Sequence, residues 1–306
     1  MNVLVENEQF GDSLVGALAT MVPGESFASV TDAEPPAEIL LTFAPRLEML
    51  DRALEIGVRW VHVLATGVDK MPLERLGNCV VTCSRGASSV PIAEFVLATM
   101  LAFEKQLPQS WLSEPPERWN IAQLGGLRGR TLGLIGIGAI GQEVARRALA
   151  FDMNVVAVRR RQGPSPIDGI TMLDSLPSLL AMSDHVVIAA PATKDTHHLL
   201  GAAEFAAMKP TAHLVNVSRG SLVDQDALLG ALDESQLAMA SLDTVDPEPL
   251  PAGHPLYRHT RVRLSAHISW SSPDSMPRTL ELFVENLRRY RAGEPLEGIV
   301  DVAAGY

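Results

Sequence analysis

The segment TLGLIGIGAIGQEVARRALAFDMNVVAVRRR, Thr131 to Arg161, constrains the fold more than any other part of the chain. An apolar strand, Thr131 to Ile135, runs into Gly136, Gly138 and Gly141 in GxGxxG spacing. A helical pattern from Gly141 to Phe151 and a second strand from Asn154 to Arg159 follow. Each glycine has a physical task. Gly136 permits the tight turn after the strand, Gly138 lets the backbone approach a pyrophosphate, and Gly141 lets helix and strand pack closely. The free N–H groups at the helix start, around Ala139 and Ile140, then face a diphosphate. GxGxxG alone is weak, but strand, turn, helix and strand together are the context a dinucleotide site requires.

The far end of this unit bears on the choice of dinucleotide. NAD sites place an Asp or Glu roughly 20 residues on, where it accepts from the ribose 2′-OH. Here Arg159, Arg160 and Arg161 stand instead, Arg159 lying 18 residues after Gly141. Guanidinium groups suit a 2′-phosphate. The reading favours NADP(H) and leaves NAD(H) open; the bland alternative is a solvated basic loop end.

The rest of the chain repeats the alternation. Strands are expected at Asn2–Glu6, Glu38–Thr42, Trp60–Leu64 and Cys79–Thr82, with helical patterns between them such as Pro45–Ile56. Val90–Gln106 reads as an apolar helix. The Pro-rich stretch LPQSWLSEPPERWN then reads as an extended excursion, and Leu124–Arg130 as a Gly-rich approach. Further strands fit Asp184–Ala189, His213–Asn216, Met239–Leu242 and Arg261–Leu264. Helices fit Ser175–Ala181, Ala202–Met208, Gln225–Glu234 and Ser275–Ala292. Alternating strands and helices imply parallel sheets, hence an α/β fold of two Rossmann-like, doubly wound domains.

Three polar residues stand past strand ends: Arg219 in VNVSRGSLVD, Glu248 in LDTVDPEPLP and His267 in LSAHISWSS. Ligands of open α/β sheets collect at the carboxyl ends of strands, so all three could share one site. Reduction of a 2-keto acid needs a cation for the carboxylate and a proton donor for the forming alkoxide. Arg supplies the first and His the second, and a neighbouring carboxylate favours imidazolium. Singly, each has a bland reading: a surface Arg, a structural His, a turn Glu.

These segments in this order resemble the D-isomer-specific 2-hydroxyacid dehydrogenases, close to their glyoxylate and hydroxypyruvate reductases. So do LATGVDKM (Leu64–Met71), VPIAEFVLA (Val90–Ala98) and the tail ENLRRYRAGEPLEGIVD. The resemblance covers essentially the whole chain. It implies that Arg219 binds substrate, that Glu248 supports the catalytic His, and that His267 is the acid/base. Asp243 matches a residue that contacts the nicotinamide amide. Backbone groups near Thr66, Gly67 and Val68 match a loop that holds the substrate carboxylate, and Ala190, Pro191, Val217 and Ser218 match positions lining the cofactor. The implied architecture is a dinucleotide-binding domain, 96–271, inserted into a flavodoxin-like substrate domain, 1–95 plus 272–306. The excursion Leu107–Asn120, with Trp111 and Trp119, resembles the region through which family members dimerise, so a homodimer is implied.

Three departures stand out. Arg159 replaces the acidic residue, the proline usual before the catalytic His is Ala266, and Trp270 is bulky enough to line a pocket or pack beside it. Two alternatives remain. One is a phosphoglycerate-type NAD-dependent dehydrogenase, against which the Arg cluster and the lack of room for a regulatory domain both weigh. The other is a corepressor-like protein that senses NAD(P) without turnover.

The formal net charge of −11 argues against a nucleic-acid partner, which needs a basic surface. Cys79 and Cys83 are not in CxxC spacing and read as buried free thiols. His62, His185 and His213 read as strand-associated, His197 and His198 as loop residues, and no metal site is expected. With no signal-peptide pattern and no apolar run of about 18 residues, a cytoplasmic protein without a membrane span is expected.

Overall fold

Among the described residues every strand of the two sheets runs parallel to its neighbours, and most are predominantly apolar, as strands covered on both faces tend to be. The structure, a computed structural model, describes residues 2–6, 11–32, 36–161 and 163–306. The chain divides into two units, Met1–Ser88 with Ser272–Tyr306, and Ser89–Ser271.

The first unit holds β1 (Asn2–Glu6), α1 (Gly11–Met21), β2 (Ser26–Ser29), β3 (Ile39–Thr42), α2 (Leu47–Ile56), β4 (Trp60–Val63) and β5 (Val80–Cys83). The sheet order β2-β1-β3-β4-β5 is the flavodoxin-like order. Alternate residues serve opposite faces, as strand geometry dictates. Leu4, Leu40 and Val61 join Leu50 and Ala53 of α2, whereas Val3, Ile39, Leu41 and Trp60 join Leu14 and Leu18 of α1. Of the two cysteines, Cys83 is buried and Cys79 only partly so, and both are free.

The second unit starts with α3 (Ser89–Glu104), so a boundary at 95/96 would cut a continuous helix packed on its neighbour in this unit. Then follow β6 (Thr131–Ile135), α4 (Ala139–Ala150), β7 (Asn154–Val158), β8 (Ile170–Met172), α5 (Leu176–Met182) and β9 (His185–Ile188). After these come α6 (Ala202–Ala206), β10 (His213–Asn216), α7 (Gln225–Asp233), β11 (Met239–Leu242) and β12 (Val262–Leu264). The order β12-β11-β10-β9-β6-β7-β8 is the Rossmann order with one added strand, and it reverses between β6 and β9. Helices cover both faces: α3 and α4 pack on one, α5, α6 and α7 on the other. The chain then returns to the first unit as α8 (Ser275–Ala292), whose Leu280, Phe283 and Leu287 complete the face that holds Trp60.

Two strands escape the sequence reading, β2 and β8. Both are edge strands, short and half-solvated, so neither carries the apolar run that marks the interior strands. α4 begins at Ala139, two residues earlier than expected, because Gly138 serves as its N-cap.

Candidate active site

Six parallel strands of the second sheet, β6, β7, β9, β10, β11 and β12, end at one edge, and the candidate residues follow them. At β6 the chain turns at Gly136, whose φ of +101° favours glycine. A Cβ there would lie 2.7 Å from the Ala189 carbonyl oxygen, so the turn is closed against the end of β9, at the order reversal. A Cβ on Gly141 would stand 2.3 Å from the Gly136 oxygen, so the first turn of α4 sits directly on the Gly136 backbone. Gly138 differs: a Cβ there would point into open space. Ala139 and Ile140 begin α4, where backbone N–H groups lack intrahelical acceptors.

The Gly136 N–H donates to Val158 of β7 (2.9 Å), which ties the turn to the arginine run. Arg159 Nη2 donates to the Pro164 carbonyl (2.8 Å), while its Nε is buried without a partner. Arg160 and Arg161 are exposed.

Past β9, Ala190 is half-buried and Pro191 exposed. The Ser218 hydroxyl donates to the Ala190 carbonyl, linking the ends of β9 and β10. Val217 turns into the core instead of towards the edge. Arg219 leaves β10 in extended conformation, and its Nη1 donates to the Ser218 carbonyl (2.8 Å). Asn216, which the sequence reading passed over, organises this turn: its Oδ1 accepts from Ser218 N–H (3.0 Å) and its Nδ2 donates to the Arg219 carbonyl (2.8 Å). Gly220 was passed over too. A Cβ on it would lie 1.9 Å from the Val245 carbonyl carbon, so only glycine lets the Arg219 turn rest on the Val245–Glu248 turn. The Gln225 side-chain amide braces that second turn from below, donating to the Asp246 carbonyl and accepting from its N–H.

His267 and Glu248 meet directly, Nδ1 to Oε2 at 3.0 Å, both partly exposed. Glu248 Oε1 also accepts from the Val245 N–H (3.3 Å), which fixes the carboxylate to its own turn. His267 adopts φ +54°, an uncommon left-handed conformation for a side-chain-bearing residue. Its N–H donates to the Asp243 carbonyl (2.8 Å) and its carbonyl accepts from the Trp270 indole (2.9 Å). Asp243 itself is buried, and both its oxygens engage the Ser265–Ser269 turn. Burial alone would raise its pKa. The hydrogen bonds from Ser265, Ser269 and Ile268 outweigh that and hold it below the ordinary carboxylate range.

Thr66, Gly67 and Val68 belong to the first unit. Thr66 Oγ1 donates to the Ser84 carbonyl (3.4 Å), and the Val68 side chain is part of the core, so this loop presents backbone rather than side chains. His62, His185 and His213 are buried in strands, and His197 and His198 stack on each other in a loop. Among the described residues, no group of three or more His, Cys, Asp or Glu could hold a metal ion, and no helix is long and apolar enough to cross a membrane.

The chain that carries this arrangement is similar to known proteins along most of its length. The model of the NAD-binding domain of D-isomer specific 2-hydroxyacid dehydrogenases matches residues 97–269. A glyoxylate reductase of Korarchaeum cryptofilum is 31% identical, over 95% of this chain and 83% of its own. A D-3-phosphoglycerate dehydrogenase of Methanocaldococcus jannaschii is also 31% identical, but the match spans 77% of this chain and 46% of that protein. Among solved structures, a D-isomer specific 2-hydroxyacid dehydrogenase of Xanthobacter autotrophicus, in complex with NADPH and MES, superposes with a TM-score of 0.86 at 28% identity, over 100% of this chain and 99% of that one. The chain belongs to the D-isomer specific 2-hydroxyacid dehydrogenases.

Proposed function

We propose that this protein is an NADP(H)-linked reductase that converts small 2-keto acids of the glyoxylate and hydroxypyruvate type into D-2-hydroxy acids. The observation that carries the reading is the His267–Glu248 pair, 3.0 Å apart, at the edge that also bears Arg219 and the glycine-rich turn. Two features fit a phosphorylated dinucleotide: Gly138 leaves open space over the start of α4, and Arg159 keeps a buried, unpartnered Nε at the end of β7. Gly136, Gly138, Ala139, Ile140 and Gly141 would cradle the diphosphate, with Ala190, Pro191 and Ser218 beside it. Arg159 and Arg160 would take the 2′-phosphate. When bound, the cofactor supplies the hydride.

The chain's own residues manage charge and the proton. Glu248 occupies Nδ1 of His267, which leaves Nε2 to deliver a proton to the keto oxygen as it gains negative charge. Arg219 grips the substrate carboxylate and orients the carbonyl beside His267. The exposed apolar side chains of the excursion, Trp111 (72%) and Trp119 (73%) among them, support a homodimer, which light scattering of the purified protein tests as twice the chain's mass.

The deciding experiment mixes the protein with NADPH or NADH and a panel of glyoxylate, hydroxypyruvate, phosphohydroxypyruvate and longer 2-keto acids. Loss of nicotinamide absorbance is followed. Turnover is expected with NADPH and the short acids. No turnover with any acid defeats the enzyme reading and favours a sensing role; a preference for phosphohydroxypyruvate with NADH favours a phosphoglycerate-type enzyme. Arg159→Asp is expected to weaken NADPH use about tenfold or more while NADH use is kept or improved.

A further inference from the structure

We propose that the amino edge of the second sheet carries a binding site for a small oxyanion, a phosphate or a carboxylate, formed by Arg130 and Arg263 in a cavity of about 420 Å³. None of the cavity's lining residues belongs to the candidate active site, so the inference does not depend on the readings of Arg219, Glu248 or His267.

The cavity lies at the C-terminal end of α3, where Phe103 and Glu104 close the helix. Arg130 stands one residue before β6, and Met239 and Arg263 belong to β11 and β12. This is the edge from which the strands start, whereas the glycine-rich turn and His267 follow the edge at which they end. A strand's length, roughly 15 Å, separates the two edges.

The charge of the cavity is unbalanced. Glu104 is the one carboxylate among the lining residues described, and it faces two guanidiniums. It is also committed elsewhere. Its Oε1 is engaged by His185 Nε2 (3.1 Å), and its Oε2 lies against Gly125, where a Cβ would stand 1.8 Å away. Arg130 Nε is 3.6 Å from Glu104 and Nη1 is 3.8 Å from Asp184. Both are ion pairs too long for hydrogen bonds, which leaves the guanidinium donors to a ligand.

Arg263 supplies an independent observation. Its Nη2 donates to the Leu107 carbonyl (3.1 Å), but its Nη1 is buried without an acceptor. A buried donor on a charged group is costly to leave unpaired, and native proteins leave few. The neighbouring His213 brings no compensating charge, because burial holds it neutral. Burial also lowers the pKa of Arg263, as befits a guanidinium whose charge is poorly matched. An oxyanion supplies what is missing, negative charge and several acceptor oxygens, in the geometry that a guanidinium fork fits.

The test titrates the full-length protein calorimetrically with inorganic phosphate and, separately, with acetate at constant ionic strength. The tighter of the two identifies the oxyanion that the site takes. NADPH is present in excess to fill the dinucleotide's own phosphate positions, and variants separate the remaining sites. In Arg219→Gln, which disables the substrate position, binding is expected to persist within about twofold. In Arg263→Gln it should weaken at least about tenfold, and in Arg130→Gln about three- to tenfold, through loss of charge-assisted hydrogen bonds. Melting temperatures establish that each variant is folded. Unchanged affinity in Arg263→Gln overturns the proposal. So does loss of all binding in Arg219→Gln, which places the anion in the active site. A wild-type protein that binds neither ion overturns it as well; if the mass of Arg263→Gln by light scattering is then half that of the wild type, the guanidiniums hold an acidic group of a second copy instead. Should Arg263→Gln not fold, Arg130→Gln decides, and an unchanged affinity there defeats the idea.

Discussion

The second unit's sheet carries histidines at both edges, and the two edges treat them in opposite ways. At the carboxyl edge His267 stands partly exposed on a left-handed turn, one ring nitrogen on Glu248. At the amino edge His185 and His213, the first residues of β9 and β10, face each other in register and are fully buried. Their Nδ1 atoms lie 3.3 Å apart, His185 Nε2 meets Glu104 (3.1 Å), and His213 Nε2 meets Ser241 (2.9 Å). Phe103 stacks on His213 at 4.6 Å. Burial, then the proximity of His185 and Arg263, holds the His213 pKa well below its ordinary value. The contrast teaches how one side chain serves two ends. With every nitrogen used by a buried partner, a histidine is a packing element; with one nitrogen held and the ring partly open, it can exchange a proton.

Several substitutions could break that contrast. The largest effect is expected for His267→Gln, which should lower kcat about 1,000-fold and leave the melting temperature within about 2 °C; steady-state kinetics beside calorimetry would show a merely structural histidine if both held. Next comes Gly220→Ala, whose Cβ would collide with the Val245 backbone and push the Arg219 turn off the Glu248 turn. A fall of about 100-fold in kcat/KM is expected.

Buried histidines should announce themselves in acid. In the first unit, burial lowers the pKa of His62 to about 3. A proton then binds the unfolded chain more readily than the folded one. Stability is whole above about pH 6.5 and is lost as pH falls towards the folded value. From pH 6.5 to 5, His62 alone accounts for about 2 kcal/mol, which urea unfolding at the two pH values measures. In His62→Gln that difference should shrink by the same amount. The smallest effect is reserved for His213→Asn: a loss of about 1–3 kcal/mol in stability from the orphaned Ser241 hydroxyl, with kcat within about twofold. A large loss of kcat there would erase the distinction between the edges.

What was readable in the sequence follows from how far apart the cooperating residues lie. The Gly136–Gly141 turn is local, and its spacing alone assigns work to its three glycines. Arg219, Glu248 and His267 are separated by tens of residues; their places past strand ends let them share one site, and the resemblance gave them roles. Asn216 and Gly220 lie inside the same quoted motif, yet their work depends on the Arg219 carbonyl and on the Val245 backbone, which no spacing reveals. Glu104 was hidden more deeply: it ends a largely apolar helix, and its partner His185 is 81 residues away. β2 and β8 were missed because edge strands do not need to be apolar.

The interruption of the first unit has a consequence for the order in which the molecule can be made. Trp60 stacks on Phe283 and Tyr290 at centroid distances of 5.7 and 5.1 Å, and the Cys83 N–H has the Gly298 carbonyl as its acceptor (3.0 Å). Those partners leave the ribosome only after the whole of the second unit. The second unit, continuous from Ser89 to Ser271, has both sheet faces covered by its own helices before α8 exists. During synthesis the first sheet therefore waits with one face incompletely covered while the second closes, and a chain released early near residue 272 would carry that sticky surface into the cell.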